Sequence, residues 1–438
     1  MRPSGRIQTS IELLTEVMDS SLPMDRVVNN YLRARRFIGS KDRKDISARV
    51  YGVIRSKCRL DWWTIKSGLG DGCRSLVLSY ATLVEGLKAS ELDEICNGGE
   101  YSPRALSEFE NEALATLQGQ ELNHPDMPAA VQGELPDWLY ALFEKQFGIE
   151  SAKTEAAGLQ HQASLDLRAN LLKGERDQAI ALLGKDNVEG VVTEFSPWGI
   201  RVQGRTALGN CKAFRDGLVE VQDEGSQLIA LLCDVTPGQS VLDLCAGAGG
   251  KSLALGALLK NDGELVAMDI DPRRLQRAEP RVEKAGIENI RYATLNKDNL
   301  KKMSAKGASD KGFDRVLVDA PCSGSGTWRR QPDARLRITS DKFANYKEMQ
   351  TKVLEQGASC VKVGGRLIYA TCSLLDEENT DQIDSFLAKH PNYQRVPVSK
   401  IWEAQGMVPC AFIDETMKVS PAQHSLDGFF CAVLERQS

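Results

Sequence analysis

The stretch Phe313 to Gly326, FDRVLVDAPCSGSG, decides the fold of this chain. Residues 316–318, Val-Leu-Val, form an apolar run typical of a strand covered on both faces, and Asp319 comes where that strand ends. Open α/β sheets bind their ligands at the carboxyl ends of parallel strands. The stretch therefore predicts a parallel strand that delivers Asp319 and Cys322 to a functional edge of a sheet.

A second strand-like run, Arg366 to Ala370, leads into Thr371-Cys372-Ser373. Two strands would thus bring two thiols to one edge. A lone cysteine is more often a small buried apolar residue than a reactive group. Because Cys322 follows Asp-Ala-Pro and Cys372 precedes Ser at matching strand ends, we interpret the pair as functional.

Residues 217–438 alternate strands and helices throughout. This alternation predicts an α/β domain with a Rossmann-like, doubly wound parallel sheet, and residues 428–435 predict a late strand at its edge that could run antiparallel. The predicted strands are 240–244, 265–269, 290–295, 315–319 and 366–370, and the predicted helices are 251–260, 273–285, 341–361 and 377–389.

Residues 1–150 carry apolar side chains at helical spacing, which predicts an all-α domain. Residues 33–44, between two of its helices, hold six basic side chains and one acid. Arg33, Arg35 and Arg36 of this turn are candidate RNA contacts. A solvated helix face would carry similar charge, so charge alone does not decide between the two.

Between these regions, residues 151–216 show short strand patterns at 165–171, 188–192 and 199–202 around one helix at 176–183. They predict a small α+β module. The sequence does not decide whether this module is a linker or a second RNA-contacting unit.

The chain has 438 residues, a net charge of −5, eleven cysteines and four histidines. Its length predicts two or three domains. The cysteines are odd in number and form no Cys-x-x-Cys pair, so we expect a reduced protein without a metal site. No apolar run approaches the roughly 20 residues that cross a bilayer, and no signal-peptide core follows the N-terminus. We therefore expect a cytoplasmic monomer with no membrane partner.

A glycine-rich turn separates the first strand of the α/β region from its helix. Residues 241–252 read VLDLCAGAGGKS, and such a turn brings backbone N–H groups close to an anionic ligand. It is not a Gly-x-x-x-x-Gly-Lys-Ser phosphate loop, because position 245 is cysteine. Asp269, at the end of the next strand, is placed to accept hydrogen bonds from ribose hydroxyls. The glycine pattern alone would also suit a dinucleotide.

Two thiols and a carboxylate at one sheet edge suit methyl transfer to carbon 5 of cytosine, whereas a dehydrogenase needs no paired thiols. Carbon 5 is a poor nucleophile until a thiolate adds to carbon 6. The reaction then needs a carboxyl group near N3 and a base for the C5 proton. Asp319, Cys322 and Cys372 are groups of the required types. Chemistry alone leaves open which cysteine attacks.

From about residue 217 to its end the chain resembles the Sun/RsmB branch of the Nop2/Sun family of S-adenosylmethionine-dependent RNA cytosine-5 methyltransferases. Residues 1–150 are similar to the helical, RNA-binding NusB-type domain of the bacterial rRNA members. The matching motifs occur in the same order, at 243–251, 319–326, 329–333, 364–373, 377–379 and 424–430.

The resemblance implies that Cys372 is the nucleophile, that Cys322 assists release of the methylated product, and that Asp319 contacts both cofactor and base. It implies S-adenosyl-L-methionine as cofactor. The implied cofactor contacts are Cys245, Ala246, Gly247, Ala248, Gly249, Gly250, Lys251, Asp269 at the ribose, and Asp298 near the adenine, with Asn296 and Asn299 as rivals of Asp298.

The glycine-rich turn departs from the family pattern at one place. The family usually has Ala-Pro where this chain has Gly247-Ala248; because the glycines that permit close approach are retained, we expect cofactor binding to be retained. Arg329 and Arg330 could hold substrate phosphates near a flipped base, or could simply face solvent.

The leading hypothesis is an enzyme that methylates carbon 5 of a cytosine in small-subunit (16S) rRNA. Transfer RNA as the substrate of the same chemistry is disfavoured only by the resemblance of the N-terminal domain. The alternative from another class is a non-catalytic RNA-binding, antitermination-like factor that keeps the cofactor fold as a scaffold. The intact thiol pair argues against this alternative.

Overall fold

A computed structural model describes residues 1–204, 208–305 and 312–437. The chain divides into two compact units. The first comprises Met1–His161 and Trp328–Ile338, and the second comprises Gln162–Thr327 and Thr339–Ser438. In the described residues, no helix is long and apolar enough to cross a membrane.

The first unit is helical, which confirms the prediction of a helical N-terminal region. Its apolar residues recur every three or four positions, so each amphipathic helix turns one stripe inward, with Leu13, Val50 and Val77 fully buried. The helices are α1 (Pro3–Asp19), α2 (Met24–Ala34), α3 (Ser40–Arg55), α4 (Lys57–Ser67), α5 (Cys73–Leu83), α6 (Ala89–Ile95), α7 (Glu108–Leu117), α8 (Ala129–Gln132), α9 (Asp137–Phe147), α10 (Ile149–Gly158) and, from the later segment, α18 (Pro332–Arg337).

A buried arginine holds the segment 328–338 in this helical unit. Arg335, 1% exposed, donates through Nη2 to the carbonyl oxygens of Ile54 at 3.1 Å and Arg55 at 2.6 Å. The same nitrogen lies 3.4 Å from Oε2 of the fully buried Glu134. The sequence placed these eleven residues with the rest of 217–438, whereas their packing groups them with the helical unit.

The second unit begins with a small antiparallel sheet of strand order β2-β3-β1-β4. Its last strand lies after residue 216, where the predicted α+β module ends, and the domain boundaries themselves stay predictions. The elements are β1 (Leu165–Ala169), α11 (Arg176–Lys185), β2 (Gly190–Val192), β3 (Gly199–Val202), α12 (Lys212–Arg215) and β4 (Val219–Val221).

The main sheet confirms the doubly wound α/β prediction. Its strand order is β10-β12-β9-β8-β5-β6-β7, with β5 to β9 parallel, β12 antiparallel to β9 and β10, and β11 paired with β12. The strands are β5 (Ser240–Asp243), β6 (Glu264–Asp269), β7 (Ile290–Thr294), β8 (Phe313–Asp319), β9 (Val361–Thr371), β10 (Tyr393–Val396), β11 (Met417–Val419) and β12 (Phe429–Arg436).

Helices cover both faces of this sheet. Consecutive strand residues pack into opposite cores: Val241 and Leu317 lie in one apolar cluster, and Leu242 and Val318 lie in the other. The helices are α13 (Glu224–Leu232), α14 (Gly250–Leu259), α15 (Pro272–Gln276), α16 (Glu279–Ala285), α17 (Lys297–Ala305), α19 (Ser340–Ala358), α20 (Thr380–Lys389), α21 (Val398–Ala404) and α22 (Pro421–His424).

Three predicted elements differ from the structure. The predicted edge strand, β12, lies inside the sheet between β9 and β10. The helix predicted over 273–285 is two helices, because Pro280 stands in the first turn of α16 and has no N–H for a continuous helix. The helix predicted to end at Val361 ends at Ala358, and β9 begins at Val361 instead of Arg366.

Candidate active site

The two cysteines predicted to meet at the sheet edge lie side by side. Cys322 follows β8 and Cys372 follows β9, and these strands are parallel neighbours with Asp319 opposite Ala370. The sulfur atoms are 3.5 Å apart. Neither cysteine forms a disulfide and both residues are partly exposed, so the edge carries two free thiols.

Backbone contacts lock the loop after Cys322 against neighbouring segments. Gly326 donates its N–H to the carbonyl oxygen of Cys372 at 2.9 Å, and Gly428 donates to the carbonyl oxygen of Gly326 at 2.8 Å. A Cβ at Gly326 would lie 2.1 Å from the Gly428 oxygen, so only glycine permits this approach. The spacing of the sulfurs is therefore built into the backbone.

A lysine–carboxylate pair lies at the same edge. Lys251, in the first turn of α14, donates from Nζ to Oδ2 of Asp319 at 2.7 Å. Burial lowers the pKa of Lys251, but attraction to Asp319 outweighs burial and the net shift of the pKa is upward. Lys251 therefore stays charged and bound to Asp319, instead of pointing to solvent.

The two thiols differ in acidity. The pKa of Cys372 is lowered because the Cys322 thiol donates a hydrogen bond to it, and Lys251 adds to this effect against burial and the charge of Asp319. The pKa of Cys322 is raised well above its ordinary value by the same hydrogen bond and by burial. Cys372 is therefore the more acidic sulfur of the pair.

This difference predicts the order in which the cysteines react with iodoacetamide. Because only the thiolate reacts, alkylation at pH 8 should modify Cys372 before Cys322. Cys410, which is also partly exposed but has its pKa raised to about 11 by burial, is the internal control and should react more slowly than Cys372. Peptide mass spectrometry of timed samples measures the order, and faster modification of Cys322 would contradict it.

The glycine-rich turn connects β5 to α14 and contacts the end of β6, where the N–H of Ala246 donates to the carbonyl oxygen of Met268 at 2.8 Å. Gly247 and Gly249 have φ angles of 58° and 80°, where side chains are disfavoured. The N–H of Gly247 donates to Oδ2 of Asp269 at 2.9 Å, and Nη1 of Arg274 lies 3.1 Å from the same oxygen. Asp269 therefore orders the turn, and its contact with a ribose stays a prediction.

The residues around this turn suit a cofactor that carries both positive and negative groups. Asp243 is fully buried; Ser252 donates to its Oδ2 at 2.6 Å, while its Oδ1 has no hydrogen-bond partner. Burial raises the pKa of Asp243 to about 7. A buried acceptor without a partner is costly, and an ammonium group of a ligand would satisfy it. The turn itself offers backbone N–H groups to a carboxylate.

Known proteins match this chain in sequence and in fold. A family model described as "16S rRNA methyltransferase RsmB/F" matches residues 230–435, and one described as an RsmF/B-like ferredoxin-like domain matches residues 135–208. The probable ribosomal RNA small subunit methyltransferase B of Synechocystis sp. is 30% identical over 415 residues, which cover 90% of this chain and 91% of that protein. This chain belongs to the RsmB/F family.

Other relatives agree with this assignment. The ribosomal RNA small subunit methyltransferase B of Proteus mirabilis is 26% identical over 97% of both chains. The crystal structure of PH0851 superposes with a TM-score of 0.76 at 26% identity and covers 100% of this chain and 99% of its own. The structure of NSun6 from Pyrococcus horikoshii, solved with SFG, shares the fold with a TM-score of 0.59 at 18% identity, over 69% of this chain and 98% of its own. The protein is thus a small-subunit rRNA methyltransferase, and its family implies S-adenosylmethionine as methyl donor.

The remaining predicted cofactor residues of this RsmB/F protein lie around the turn or beyond it. Cys245, Ala246, Ala248 and Gly250 form the turn with the two glycines already described. Asp298 is exposed in the first turn of α17. The side chains of the two alternative candidates make hydrogen bonds within the same loop. Asn296 accepts the N–H of Asn299 at 2.8 Å, and the Asn299 side chain donates to the carbonyl oxygen of Thr294 at 2.9 Å.

The arginines predicted to contact RNA are not equivalent. Arg33, in the last turn of α2, and Arg36, in the loop between α2 and α3, are both exposed. Arg35 is half-buried, and its guanidinium lies 3.5 Å from the centre of the Tyr31 ring. In the segment held by Arg335, Arg329 is 5% exposed and Arg330 is half-buried. Burial restricts the access of a phosphate to Arg329, so Arg33 and Arg36 are the better placed candidates.

Sequence reasoning missed two residues near the thiols of the RsmB/F site. Glu378 was quoted only as part of a motif, but it is fully buried and bonded to both cysteine loops. Tyr346, on α19, has its pKa raised by burial and by the nearby groups Cys322 and Glu378. An acidic Glu-Glu-Asn turn is typical of a solvated loop, so only the fold identifies Glu378.

A pair of glycine substitutions tests the proposed cofactor turn. Gly249→Ala should weaken S-adenosylmethionine binding about tenfold, because a Cβ at its φ of 80° would lie 2.8 Å from Ala278 Cβ and a non-glycine residue there costs about 1–3 kcal/mol. Gly184→Ala in α11, outside the turn, is the control, because a Cβ there also meets no atom within 4 Å. Calorimetric titration measures both, and equal affinities for the two variants would contradict the assignment.

The described residues contain no group of three or more His, Cys, Asp or Glu side chains that could hold a metal ion.

Proposed function

We propose that the protein transfers a methyl group to carbon 5 of a cytosine in 16S rRNA through a covalent bond between Cys372 and carbon 6 of the ring. The observation that carries this proposal is the 3.5 Å separation of two thiols of unequal acidity at neighbouring strand ends. A dehydrogenase or a binding protein has no use for that pair.

Cys372 would begin the reaction. Its thiolate adds to carbon 6, and the electron pair of the 5,6 double bond moves onto the ring so that carbon 5 becomes nucleophilic. Asp319 would hydrogen-bond the base near N3, and Lys251, which donates to Asp319, would stabilise the negative charge that develops on the ring. Bound S-adenosylmethionine supplies the electrophilic methyl group. The residues that would hold it are those of the 245–251 turn, with Asp269 and Asp298.

Cys322 would complete the reaction as the base for the C5 proton. Its pKa is raised by the hydrogen bond and the charge of Cys372, together with burial. Both effects of Cys372 end when that sulfur is bonded to carbon 6, so the pKa of Cys322 falls at the step that needs a base. The Cys322 thiol then loses its proton to solvent, and the resulting thiolate takes the proton from carbon 5. The electron pair of that C–H bond restores the 5,6 double bond and expels Cys372 from carbon 6 as a thiolate.

RNA would also contact Arg33 and Arg36 of the helical unit, and Arg329 and Arg330 stay predicted contacts of the substrate phosphates. The cytoplasmic location and the monomeric state stay predictions. Transfer RNA as substrate, and a silent binding factor, are tested by the same assay as the rRNA assignment.

Two measurements test the function. The wild-type protein should transfer labelled methyl groups from S-adenosylmethionine to unmodified 16S rRNA, and nucleoside analysis should find 5-methylcytosine. Cys322→Ala should accumulate a protein–RNA complex that survives denaturing electrophoresis, because product release is blocked. Methylation at another atom, a preference for transfer RNA, or free dissociation of the Cys322→Ala protein would each contradict the proposal.

A further inference from the structure

A single buried carboxylate joins the two cysteine loops. Glu378, in the turn Asp376–Glu378 before α20, has no exposed surface. Its Oε1 accepts the backbone N–H of Ser323 at 2.8 Å, and its Oε2 accepts the hydroxyl groups of Ser323 and Ser373. These serines directly follow the two cysteines in the chain, so one side chain fixes the residue next to each sulfur.

The Glu378 carboxylate is itself held from the opposite side. Gln350 of α19 donates from Nε2 to Oε1 of Glu378 at 2.9 Å, and also to the carbonyl oxygen of Pro321 at 3.0 Å. Hydrogen bonds to a buried charged acceptor are stronger than neutral ones, and donors left without a partner are costly. The two loops therefore cannot shift apart without breaking several of these bonds.

Glu378 also acts unequally on the two sulfurs. Its negative charge is one of the causes that raise the pKa of Cys322, after the hydrogen bond from Cys322 to Cys372 and burial. The charges with the largest influence on Cys372 are those of Asp319 and Lys251 instead. The carboxylate is thus placed to disfavour ionisation of Cys322 more strongly than ionisation of Cys372.

We propose that Glu378 is a positioning residue for the methyl transfer: it sets the spacing of the two sulfurs and keeps Cys322 in the thiol form until Cys372 has reacted. Glu378 acts through Ser323 and Ser373 and makes no contact with the base. This inference rests on the proposed function, and it adds a residue to which that function gave no role.

Glu378→Gln tests the inference, because the amide keeps the shape but loses the charge and one acceptor. We expect kcat to fall about 100-fold, with KM for RNA and the cofactor Kd changed less than about twofold. The pH at which iodoacetamide modifies Cys322 should move downward, which a merely structural role would not produce. Glu378→Asp keeps the charge, so it should lower kcat but leave the Cys322 alkylation profile unchanged.

Glu377→Gln is the matched control, since Glu377 is an adjacent carboxylate on the half-exposed side of the same turn, and it should behave as wild type. If Glu378→Gln does not fold, Ser373→Ala removes one link and should lower kcat without a pH shift. Wild-type kcat in the variant that folds would overturn the inference. The proposed function fails separately, if Cys322→Ala forms no covalent complex.

An exposed aromatic side chain of the helical unit carries a second proposal. Phe37, between α2 and α3, is 78% exposed, although its neighbour Ile38 is 2% exposed in the core. Arg43 clamps the loop, donating from Nε to the carbonyl oxygen of Ile38 at 2.8 Å and from Nη2 to that of Arg35 at 3.3 Å. The loop backbone that presents the exposed Phe37 ring is therefore held in place by Arg43.

The surroundings of Phe37 are basic. A cavity of about 450 Å³ beside the loop is lined by Asn29, Leu32, Arg33, Arg36 and Arg43. Exposed aromatic rings next to arginines bind single-stranded nucleic acid, because bases stack on the ring while the cations contact phosphates. A loop whose backbone is already held loses little freedom on binding.

We infer that Phe37 stacks on an unpaired base of the RNA substrate, with the adjacent phosphates held by Arg33 and Arg36. This inference rests on RNA being the substrate. Stacking on Phe37 would be a contact with a base, which the positive charges of the loop alone do not provide.

The test is the affinity of the full chain for a single-stranded 16S rRNA fragment, measured by fluorescence anisotropy at several salt concentrations. Phe37→Ala should weaken binding about 5- to 50-fold without changing the salt dependence, whereas Arg36→Ala should weaken binding and reduce that dependence. Phe37→Trp should bind as well as wild type.

Phe109→Ala is the matched control for Phe37. Phe109 is 79% exposed in the same unit but is flanked by Glu108, Glu110 and Glu112, so its loss should leave the RNA affinity unchanged. Wild-type affinity of Phe37→Ala, or an equal loss in Phe109→Ala, would overturn the stacking proposal. Neither result bears on whether the thiols perform the methyl transfer.

Discussion

Replacing Cys372 with alanine is expected to lower the rate of RNA methylation by at least about 1,000-fold, because the covalent route to a nucleophilic carbon 5 is lost. The fold should be retained, since Cys372 is partly exposed at the end of β9. Serine is expected to fail as well, because its hydroxyl is not ionised near neutral pH. Transfer of labelled methyl groups to unmodified 16S rRNA measures the effect.

The control for Cys372→Ala is Cys410→Ala. Cys410 is also partly exposed, but it lies in the loop between α21 and β11, so its loss should leave the methylation rate unchanged. Binding of S-adenosylmethionine should be similar in all three proteins, which separates chemistry from cofactor affinity. Methylation at the wild-type rate by the Cys372→Ala protein would show that Cys372 is not the nucleophile.

Replacing Arg335 with alanine is expected to lower the free energy of unfolding of the helical unit by about 3–5 kcal/mol, as removal of one partner of a buried ion pair does. The substitution leaves the carbonyl oxygens of Ile54 and Arg55 without this donor. It also removes one positive partner of the buried Glu134 carboxylate. It also opens space around a side chain that is 1% exposed.

Urea unfolding followed by tryptophan fluorescence measures the effect of Arg335→Ala. Lys153→Ala is the control in the same unit, because Lys153 and its partner Glu150 form an exposed pair on α10, and exposed pairs contribute little. An unchanged midpoint for Arg335→Ala would show that the 328–338 segment is not anchored by this arginine.

The sheet that carries the site could be predicted from local patterns, because its central strands are short apolar runs followed by chemically distinctive residues. Strand β10 could not, since Tyr-Gln-Arg-Val is brief and half polar; without it, β12 was placed at the edge. The break before α16 could have been predicted from Pro280, which cannot continue a helix from the preceding turn.

The parts of the site that the sequence did not reveal depend on contacts between distant residues. Arg335 and Glu134 are 201 positions apart, and continuity of the chain favoured placing 328–338 with its sequence neighbours. Glu378 is 55 positions from Ser323, and its burial follows only from the packing of both loops around it. Local patterns report which face of an element is apolar, but not which polar group a buried acceptor will find.

The role of Cys372 as the nucleophile is tested most directly by mapping the attachment point in the Cys322→Ala protein–RNA complex. The complex is digested with nuclease and trypsin and analysed by peptide mass spectrometry. If Cys372 is the nucleophile, a cytidine nucleotide is joined to the peptide of residues 367–389, at Cys372. A complex joined at any other residue, or no complex at all under conditions in which the wild-type protein methylates the same RNA, would contradict it.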